Sequence, residues 1–551
     1  MRGLQELVIA LPFVTLALMR RVHPSAWLLA ASSSILQILV FPRPGLTFLC
    51  WVALAPLIFA ILRAREVDAT VLLESQSPSF LVPATPKQGF VLGWVSGSLW
   101  YLGTCYWVFH VMHQYGGLNV FVSFILLILF AIYLGLNHGI FGALLAWAGQ
   151  ARAGFSRRAL VLAPFLWVTV ELVRNYVVGY PWNLLGNSQV DNVPLSRIAT
   201  VTGVYGLSFE IALVNTVFAA TFLVHKTRRK AMIAAALVAS IALQSERFVR
   251  LDPTPTDAQA TLVQQNVPIR DDWNYDSYDK LLNELSTISV ASANPKGEPG
   301  LIVWPESPAP FLLNDGHFVD AVGTIAKKNN AYLIAGSIGL RSETKGLPDE
   351  IFNSAAVISP QGVVAARYDK VHLVPFGEYV PFRRWLSFAK ALTGEVGNFV
   401  AGGDRSPVTI GRHRAGIFIC YESLFPNEVR EFATHGAEYF VNISNDGWFG
   451  ESGAPWQHLD VARMRAIENN RWLLRGTNTG ITAVIDPFGR IVQEAPRNQR
   501  IALQVSHGHD TETTFYTRNG DWFPILCAII SLIGLFVRIR ERADVTQPQP
   551  V

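Results

Sequence analysis

Apolar runs set in series constrain this chain more than any other feature. Seven follow one another through the first half, near 26–41, 46–62, 89–112, 119–148, 160–178, 202–224 and 231–246, and an eighth lies near 522–537. Several approach the roughly 20 residues that cross a bilayer as a helix, and the shorter ones carry aromatic flanks. Charged residues make up 16% of the chain, against about 25% in an ordinary soluble protein. So many apolar helices with so little charge between them argue against the core of a soluble protein. The reading is a polytopic α-helical membrane domain over 1–250 with seven or eight spans, and a C-terminal transmembrane helix over 520–540. A polar Pro- and Gln-rich tail, 541–551, is expected to be disordered. The segment 4–19 contains Glu6 and Pro12. It fits an additional span, an interfacial helix or an uncleaved signal-like start, and no small-residue cleavage site follows it.

Lys and Arg alternate between the loops. Arg20 and Arg21 precede the first run; Arg63, Arg65 and Lys87 mark the next even loop; Arg152, Arg157 and Arg158 the one after; Lys226, Arg228, Arg229 and Lys230 the last; and Arg538, Arg540 and Arg542 follow the final helix. With all of these inside, by the positive-inside bias, the block 247–521 falls on the outer face. The net charge of +4 and the lack of a basic stripe with interleaved aromatics give no case for nucleic acid. Of four cysteines, no two have CxxC spacing, so neither a zinc site nor a redox pair is expected. Cys50, Cys105 and Cys527 lie in apolar stretches, where a thiol packs as a small hydrophobe. Cys420 is an unpaired thiol on the outer face.

The outer block follows a Pro253–Asp257 linker and reads as α/β. Strand patterns run Thr261 to Val267, Leu301 to Trp304, Tyr332 to Ile338, Ala355 to Ile358, Val363 to Tyr368, Ala415 to Cys420, Tyr439 to Ile443 and Ile481 to Ile485. Amphipathic stretches at 276–292, 316–329, 426–435 and 456–470 separate some of them. Ser359-Pro-Gln-Gly362 and Asp486-Pro-Phe-Gly-Arg490 read as tight turns.

Three polar signatures stand at strand ends in this block. Gly416-Ile-Phe-Ile-Cys420-Tyr421-Glu422 is an apolar strand that stops at a thiol, a placement that leaves the following N–H groups free for an oxyanion. Leu301-Ile-Val-Trp-Pro-Glu306 ends on a carboxylate where α/β ligand sites gather; alone, it reads equally well as a surface ion-pair partner. Lys370, in Tyr368-Asp-Lys-Val-His-Leu-Val-Pro-Phe-Gly-Glu378, opens an apolar loop; alone, it reads as a solvated lysine. Together they supply a nucleophile, a base and an oxyanion donor, which a thiol of pKa about 8.5 needs in order to attack efficiently.

The motifs WPES, KVHLVPFGE and CYE resemble those of the nitrilase superfamily, with its Glu-Lys-Cys triad and four-layer αββα sandwich. Asn442-Ile-Ser-Asn-Asp-Gly-Trp-Phe-Gly450, Pro455-Trp-Gln-His458, Ala462-Arg-Met-Arg-Ala466 and Thr479-Gly-Ile-Thr482 narrow it. With the preceding helices, the chain from about 26 to 538 resembles the apolipoprotein N-acyltransferase family. Gly447 departs from the Ala of many members. The resemblance implies a nitrilase-like catalytic domain over 257–507, with Cys420 as nucleophile, Glu306 as base and acid, and Lys370 with the Tyr421 N–H as oxyanion donors. It implies supporting or substrate-binding roles for Glu378, Tyr421, Glu422, Trp448, Gly179 and Trp182, and for Trp273 in a gating loop.

It also implies the reaction: an sn-1 acyl chain passes from a phospholipid, typically phosphatidylethanolamine, through a Cys420 thioester to the α-amino group of a lipoprotein's N-terminal diacylglyceryl-cysteine. No metal or organic cofactor is expected. The enzyme is expected to be a monomer of the cell inner membrane, with a periplasmic catalytic domain and a cytoplasmic C-terminus. A membrane-anchored nitrilase-type amidohydrolase would keep the triad and let water resolve the thioester. Glycines and aromatics around 89–116 and 179–187 argue instead for a lipid-lined cavity. A non-catalytic lipid transporter would be expected to show broken or polar mid-membrane helices, and Asn137 with His138 is the main such pair.

Overall fold

Each apolar run becomes a helix whose ends are set by local chemistry. In the computed structural model, which describes residues 22–66, 81–151, 155–223, 228–249, 252–269, 273–292, 297–341, 350–380 and 399–546, they are α1 (Pro24–Val40), α2 (Ala55–Leu62), α3 (Pro86–Thr104), α4 (Val120–Gly149), α5 (Arg158–Val173), α6 (Val204–Leu223) and α7 (Arg229–Ser245). The segment 4–19, Arg20, Arg21, Arg152, Lys226 and residues 547–551 lie outside the described residues. α3 opens on a capping box, in which Thr85 and Gln88 satisfy each other's backbone N–H groups, with Pro86 at the first position. Val120–Gly149, Arg158–Val178 and Val204–Leu223 are long and apolar enough to cross a membrane; Pro24–Val40, Thr47–Leu62 and Trp522–Val537 are shorter apolar helices.

The run at 46–62 is not one helix. A 3₁₀ turn (Thr47–Leu49) and a short turn (Cys50–Ala53) precede α2. Pro56 has no N–H and cannot continue a helix through its first turn. Asn215 of α6 repairs the break: its Oδ1 accepts from Leu54 N (2.8 Å) and Ala55 N (2.9 Å), and its Nδ2 donates to Cys50 O (2.7 Å). The run at 89–112 likewise stops at Thr104 and resumes at Trp107.

α3 and α4 approach backbone to backbone. A Cβ on Gly93 would stand 2.1 Å from the His138 carbonyl oxygen, and one on Gly142 2.1 Å from that of Gly89. This is small-residue packing, which works between helices in lipid, where apolar burial supplies no drive. Outward, Phe121, Leu129 and Tyr133 of α4 and Val238 and Ile241 of α7 are exposed, an apolar surface suited to acyl chains.

The helix ends sort into two sets. At one, His23 N donates to Ala64 O, Ala84 N to Ile61 O, and Gln150 Nε2 to Ala84 O (2.5 Å). The other set touches the α/β half: Gln457 Nε2 donates to Pro42 O (2.5 Å), Gly453 N to Tyr106 Oη (3.0 Å), and Tyr115 Oη to Gly447 O (3.0 Å).

Among the described residues the α/β half has twelve strands: β1 (Ala258–Gln264), β2 (Gly300–Val303), β3 (Ala331–Arg341), β4 (Glu350–Ile358), β5 (Val364–Asp369), β6 (Val408–Ile410), β7 (His413–Ile419), β8 (Tyr439–Ser444), β9 (Leu473–Thr477), β10 (Ala483–Ile485), β11 (Ile491–Glu494) and β12 (Ile501–His507). They form two six-stranded sheets, β12-β1-β2-β3-β4-β5 and β11-β10-β9-β8-β7-β6. Helices α8 (Tyr275–Ile288) and α9 (Gly316–Asn329) cover the first sheet, and α10 (Pro426–Thr434) and α11 (Ala454–Asn469) belong to the second. Strand alternation divides the core. Leu301 and Val303 of β2 face the second sheet, while Ile302 and Trp304 pack with Leu281, Leu285 and Phe318 of α8 and α9. The result is the expected αββα sandwich. The turns at 359–362 and 486–490 connect β4 to β5 and β10 to β11. The helix expected over 276–292 ends at Ile288, and the C-terminal helix α12 runs Trp522–Thr546, past the expected end at 540.

Candidate active site

Parallel strands of both sheets end at one place, and the site is assembled from the residues just beyond them. Glu306 follows β2, Lys370 follows β5, Cys420 follows β7 and Asn445 follows β8. Glu306 and Lys370 are buried, and Cys420 is half-buried.

Lys370 Nζ lies 2.9 Å from Glu378 Oε1 and 3.4 Å from Glu306 Oε1. Asn353 of β4 donates through Nδ2 to both carboxylates, at 2.6 and 2.8 Å. The second oxygens are held by backbone: Asn445 N donates to Glu306 Oε2 (2.8 Å) and Val374 N to Glu378 Oε2 (2.7 Å). Each carboxylate is therefore fixed at both oxygens. Burial pulls the Lys370 ammonium down, but the charges of Glu378 and Glu306 outweigh it and hold it above its ordinary value. Burial, and then the Glu306 charge, push the Cys420 thiol up, opposed by Lys370. The resting site therefore pairs a neutral thiol with a charged lysine.

Cys420 has φ +51°, a left-handed conformation that costs a non-glycine residue of order 1 kcal/mol or more. A polar network overdetermines it. Glu422 Oε2 accepts from Ile419 N (2.7 Å), while its Oε1 accepts from Tyr368 Oη (2.7 Å), Val371 N (2.8 Å) and His372 N (3.1 Å). One carboxylate thus ties the Cys420 corner to the Lys370 loop. On the other side, His458 Nε2 lies 3.1 Å from the Cys420 carbonyl oxygen, and Nδ1 lies 2.9 Å from Asp446 Oδ1. Arg475 donates to Asp446 Oδ2 (2.9 Å) and to Asn442 Oδ1.

The structure places the remaining expected residues unevenly. Tyr421 Oη donates to the carbonyl of Gly179 (2.8 Å), itself left-handed at φ +69° and closing the π-helical turn Arg174–Val178 that follows α5. Trp182 is buried between the two halves; its Nε1 donates to Gln457 Oε1 (2.6 Å) and its ring stacks on His458, centroids 5.8 Å apart. Trp448 is 42% exposed and meets Tyr115 edge-on at 5.3 Å. Trp273 packs against the core between the first sheet and its helices. Sequence reasoning missed Asn353, Asn445, Asp446, His458 and Arg475 as site residues. For two the signal was polarity inside an apolar strand, Asn353 in Ile-Phe-Asn-Ser-Ala-Ala-Val-Ile and Arg475 in Leu-Leu-Arg-Gly-Thr; Asn445, Asp446 and His458 lay in the quoted motifs without an assigned role.

The family model for carbon-nitrogen hydrolases matches residues 259–506, and that for the apolipoprotein N-acyltransferase N-terminal domain matches 33–217. An apolipoprotein N-acyltransferase from Geobacter metallireducens is 35% identical over 94% of this chain and 96% of its own. One from Methylococcus capsulatus is 34% identical over 84% and 90%. Among solved structures, a Nesterenkonia amidase of the nitrilase superfamily matches at 18% identity and a TM-score of 0.34, covering 52% of this chain and 99% of that one. A membrane-helical half joined to a nitrilase-fold half, matched along nearly its whole length by these relatives, identifies the chain as a member of the apolipoprotein N-acyltransferase family.

Proposed function

We propose that this enzyme moves the sn-1 acyl chain of a phospholipid, with phosphatidylethanolamine the expected donor, through a Cys420 thioester to the α-amino group of a lipoprotein's N-terminal diacylglyceryl-cysteine. Glu306 takes the thiol proton as Cys420 Sγ attacks the ester carbonyl. Lys370 and the Tyr421 N–H stabilise the oxyanion that forms. The tetrahedral intermediate collapses, the ester C–O bond breaks, and Glu306 returns the proton to the departing lysophospholipid. In the second half, the acceptor amine attacks the thioester and gives its proton to Glu306. The C–S bond then breaks and the Cys420 thiolate recovers a proton. Glu378, Glu422 and Asn353 hold these groups in position. Trp182, Trp448, Gly179 and Trp273 are assigned to substrate binding and gating.

The observation that carries this reading is the direct bond from Tyr421, next to the nucleophile, to Gly179 of the helical half. It favours a lipid substrate because an acyl tail can then stay in its apolar surroundings while its ester reaches Cys420; each CH₂ exposed to water would cost about 0.8 kcal/mol. The two sets of helix ends support the orientation. Arg65 stands with the set of helix ends that does not touch the α/β half, where it bonds to Pro83 O (2.8 Å), as the positive-inside bias expects of an inner face. The catalytic half is thus assigned to the periplasmic face of the inner membrane and the C-terminus to the cytoplasm. The enzyme is expected to act as a monomer.

Intact mass spectrometry tests the reading. Mixed with phosphatidylethanolamine, the protein should gain one acyl mass, lost to hydroxylamine and discharged by a diacylglyceryl-cysteine peptide. Cys420→Ser should gain no hydroxylamine-sensitive mass. If water discharges the adduct as fast as the peptide does, an amidohydrolase-like activity replaces the transferase.

A further inference from the structure

Consecutive residues of the π-helical turn Arg174–Val178 reach three different helices. Arg174 Nη1 donates to Tyr101 Oη of α3, Asn175 Nδ2 to Tyr205 Oη of α6 (3.1 Å), and Tyr176 Oη to Asp521 Oδ2 just before α12 (2.7 Å). Such turns are rare and recur at functional sites. This one closes on a single atom: the Arg174 carbonyl oxygen accepts from Gly179 N and, at 3.4 Å, from Tyr180 N. Tyr180 N and Gly179 O are opposite ends of one planar peptide. The Arg174 carbonyl therefore holds one end of the plate whose other end receives Tyr421 Oη (2.8 Å). The Arg174 side chain is the costly part. It is 3% exposed, within a helix long and apolar enough to cross a membrane. Its guanidinium carbon lies 5.8 Å from the Trp100 ring centroid and 5.9 Å from that of Tyr101, and among the described residues its Nε and Nη2 have no acceptor. Packing alone would be served as well by an apolar side chain of similar volume, so an ionisable group kept there points to a task.

We propose that Arg174, inside the membrane half, is a positioning residue for Cys420. Its side chain is locked to Tyr101, its carbonyl fixes the Gly179–Tyr180 peptide, and that peptide fixes the Tyr421 hydroxyl. Tyr421 follows Cys420 directly, so the left-handed Cys420 backbone is held from the helical half through one chain of bonds: Tyr101, Arg174, Gly179, Tyr421. The loop beyond Gly179 cannot easily take up a displacement, because it is tied back to α5 at its far end as well: Glu171 Oε1 accepts from Leu185 N (2.9 Å). Glu422 and His458 hold the same corner from the catalytic half. Arg174 adds a hold that depends on how the two halves are seated.

The role rests on the proposed acylation of Cys420, and a second readout separates the two. Full-length protein is mixed with phosphatidylethanolamine at a series of concentrations, and single-turnover acylation is followed by intact mass. Wild type is compared with Arg174→Met, Arg174→Lys, Tyr101→Phe and Tyr421→Phe, and with Tyr421→Phe combined with Arg174→Met or with Tyr101→Phe. Positioning requires Arg174→Met to slow the saturated rate roughly fivefold, the factor set by one ordinary hydrogen bond. The donor concentration for half-maximal rate should stay near that of wild type, since no donor contact is lost. Arg174→Lys keeps a donor for Tyr101 and should regain part of the rate. The double variant with Tyr421→Phe should be no slower than the slower single, because both changes cut the same chain; independent effects would multiply to about 25-fold and overturn the role. An unchanged rate in Arg174→Met overturns it too, and leaves the transferase reading standing. If Arg174→Met melts well below wild type, Tyr101→Phe, which keeps the arginine, takes its place in the cycle with the same expectation. Alkylation of Cys420 by iodoacetamide needs no lipid. If wild type is never acylated, the transferase reading fails; the positioning role then survives only if Arg174→Met slows alkylation and Tyr421→Phe adds nothing further, and equal alkylation in all variants removes it as well.

Discussion

The Tyr421 hydroxyl donates to the Gly179 carbonyl oxygen across 2.8 Å, so the residue after Cys420 is bonded to the residue that closes the π-helical turn Arg174–Val178 beyond α5. Gly179 can offer that carbonyl because it sits at φ +69°, a conformation that costs a glycine little. The bond couples the seating of the two halves to the geometry of the corner at Cys420. Tyr421→Phe keeps the ring and removes the bond, worth about 1 kcal/mol net. Acylation of Cys420 is expected to slow roughly fivefold, measured as lysophospholipid release in a single turnover. An unchanged rate would mean that the bond only decorates the interface.

Glu422 makes a sharper case. Its two oxygens receive four donors, three of them backbone N–H groups. Burial pushes its carboxyl up, against the hydrogen bonds that hold it charged. Glu422→Gln replaces one acceptor oxygen with an NH₂ facing N–H groups, leaving buried donors unsatisfied at about 1–3 kcal/mol each. Because the same carboxylate positions the Lys370 loop, activity is expected to fall by roughly 10²–10³, the order seen when one oxyanion donor is misplaced. Thioester formation and the thermal melt should be read on the same sample: a lost thioester with a folded melt shows positioning.

How far the site could be read from sequence depended on which forces set each part. Helix existence follows from runs of apolar residues, so α1 to α7 and α12 were legible, though α2 starts nine residues after its run and α12 ends nine residues beyond its own. The break at Pro56 was not, because its repair comes from Asn215, distant in sequence. Glu306 and Cys420 stood out as polar residues ending apolar strands; Lys370 follows a polar strand that holds Arg367 and Asp369, and drew notice only beside the other two. Arg475 was hidden for the opposite reason: a charge inside a five-residue strand masks the strand, and β9 was overlooked with it. Only the fold reveals that Asp446 neutralises this arginine.

Between α3 and α4, Gly93 meets the His138 carbonyl so closely that any side chain must push the helices apart. Gly93→Val should lower the thermal stability of detergent-purified protein by several degrees, a loss of a few kcal/mol from overpacking. His138 lies tilted against Trp100, centroids 5.1 Å apart, which extends the disturbance into the aromatic cluster around Tyr101. Glu306, Lys370 and Cys420 lie in the other half, so the folded fraction should still form thioester. Loss of thioester in protein with a wild-type melt would contradict a purely packing role.

Asp446 sets the acid limit of the His458 network. Burial would raise its carboxyl, but the charges of Arg475 and His458, with hydrogen bonds from His458 and Ser444, outweigh burial and hold it well below the ordinary carboxylate range. A depressed carboxyl stabilises the fold fully above its unfolded value, near pH 4, and loses that contribution as pH falls through the folded value. Asp446→Asn leaves the buried Arg475 without its counter-charge, a loss of about 3–5 kcal/mol at pH 7. Below pH 4 the wild type loses the same advantage, so the gap between the two proteins should close by about 1.4 kcal/mol per pH unit. Thermal melts of both from pH 7 to pH 2.5 give the gap directly. One that stays constant below pH 4 would show that the stabilisation comes from hydrogen bonds the asparagine keeps, rather than from the charge on Asp446.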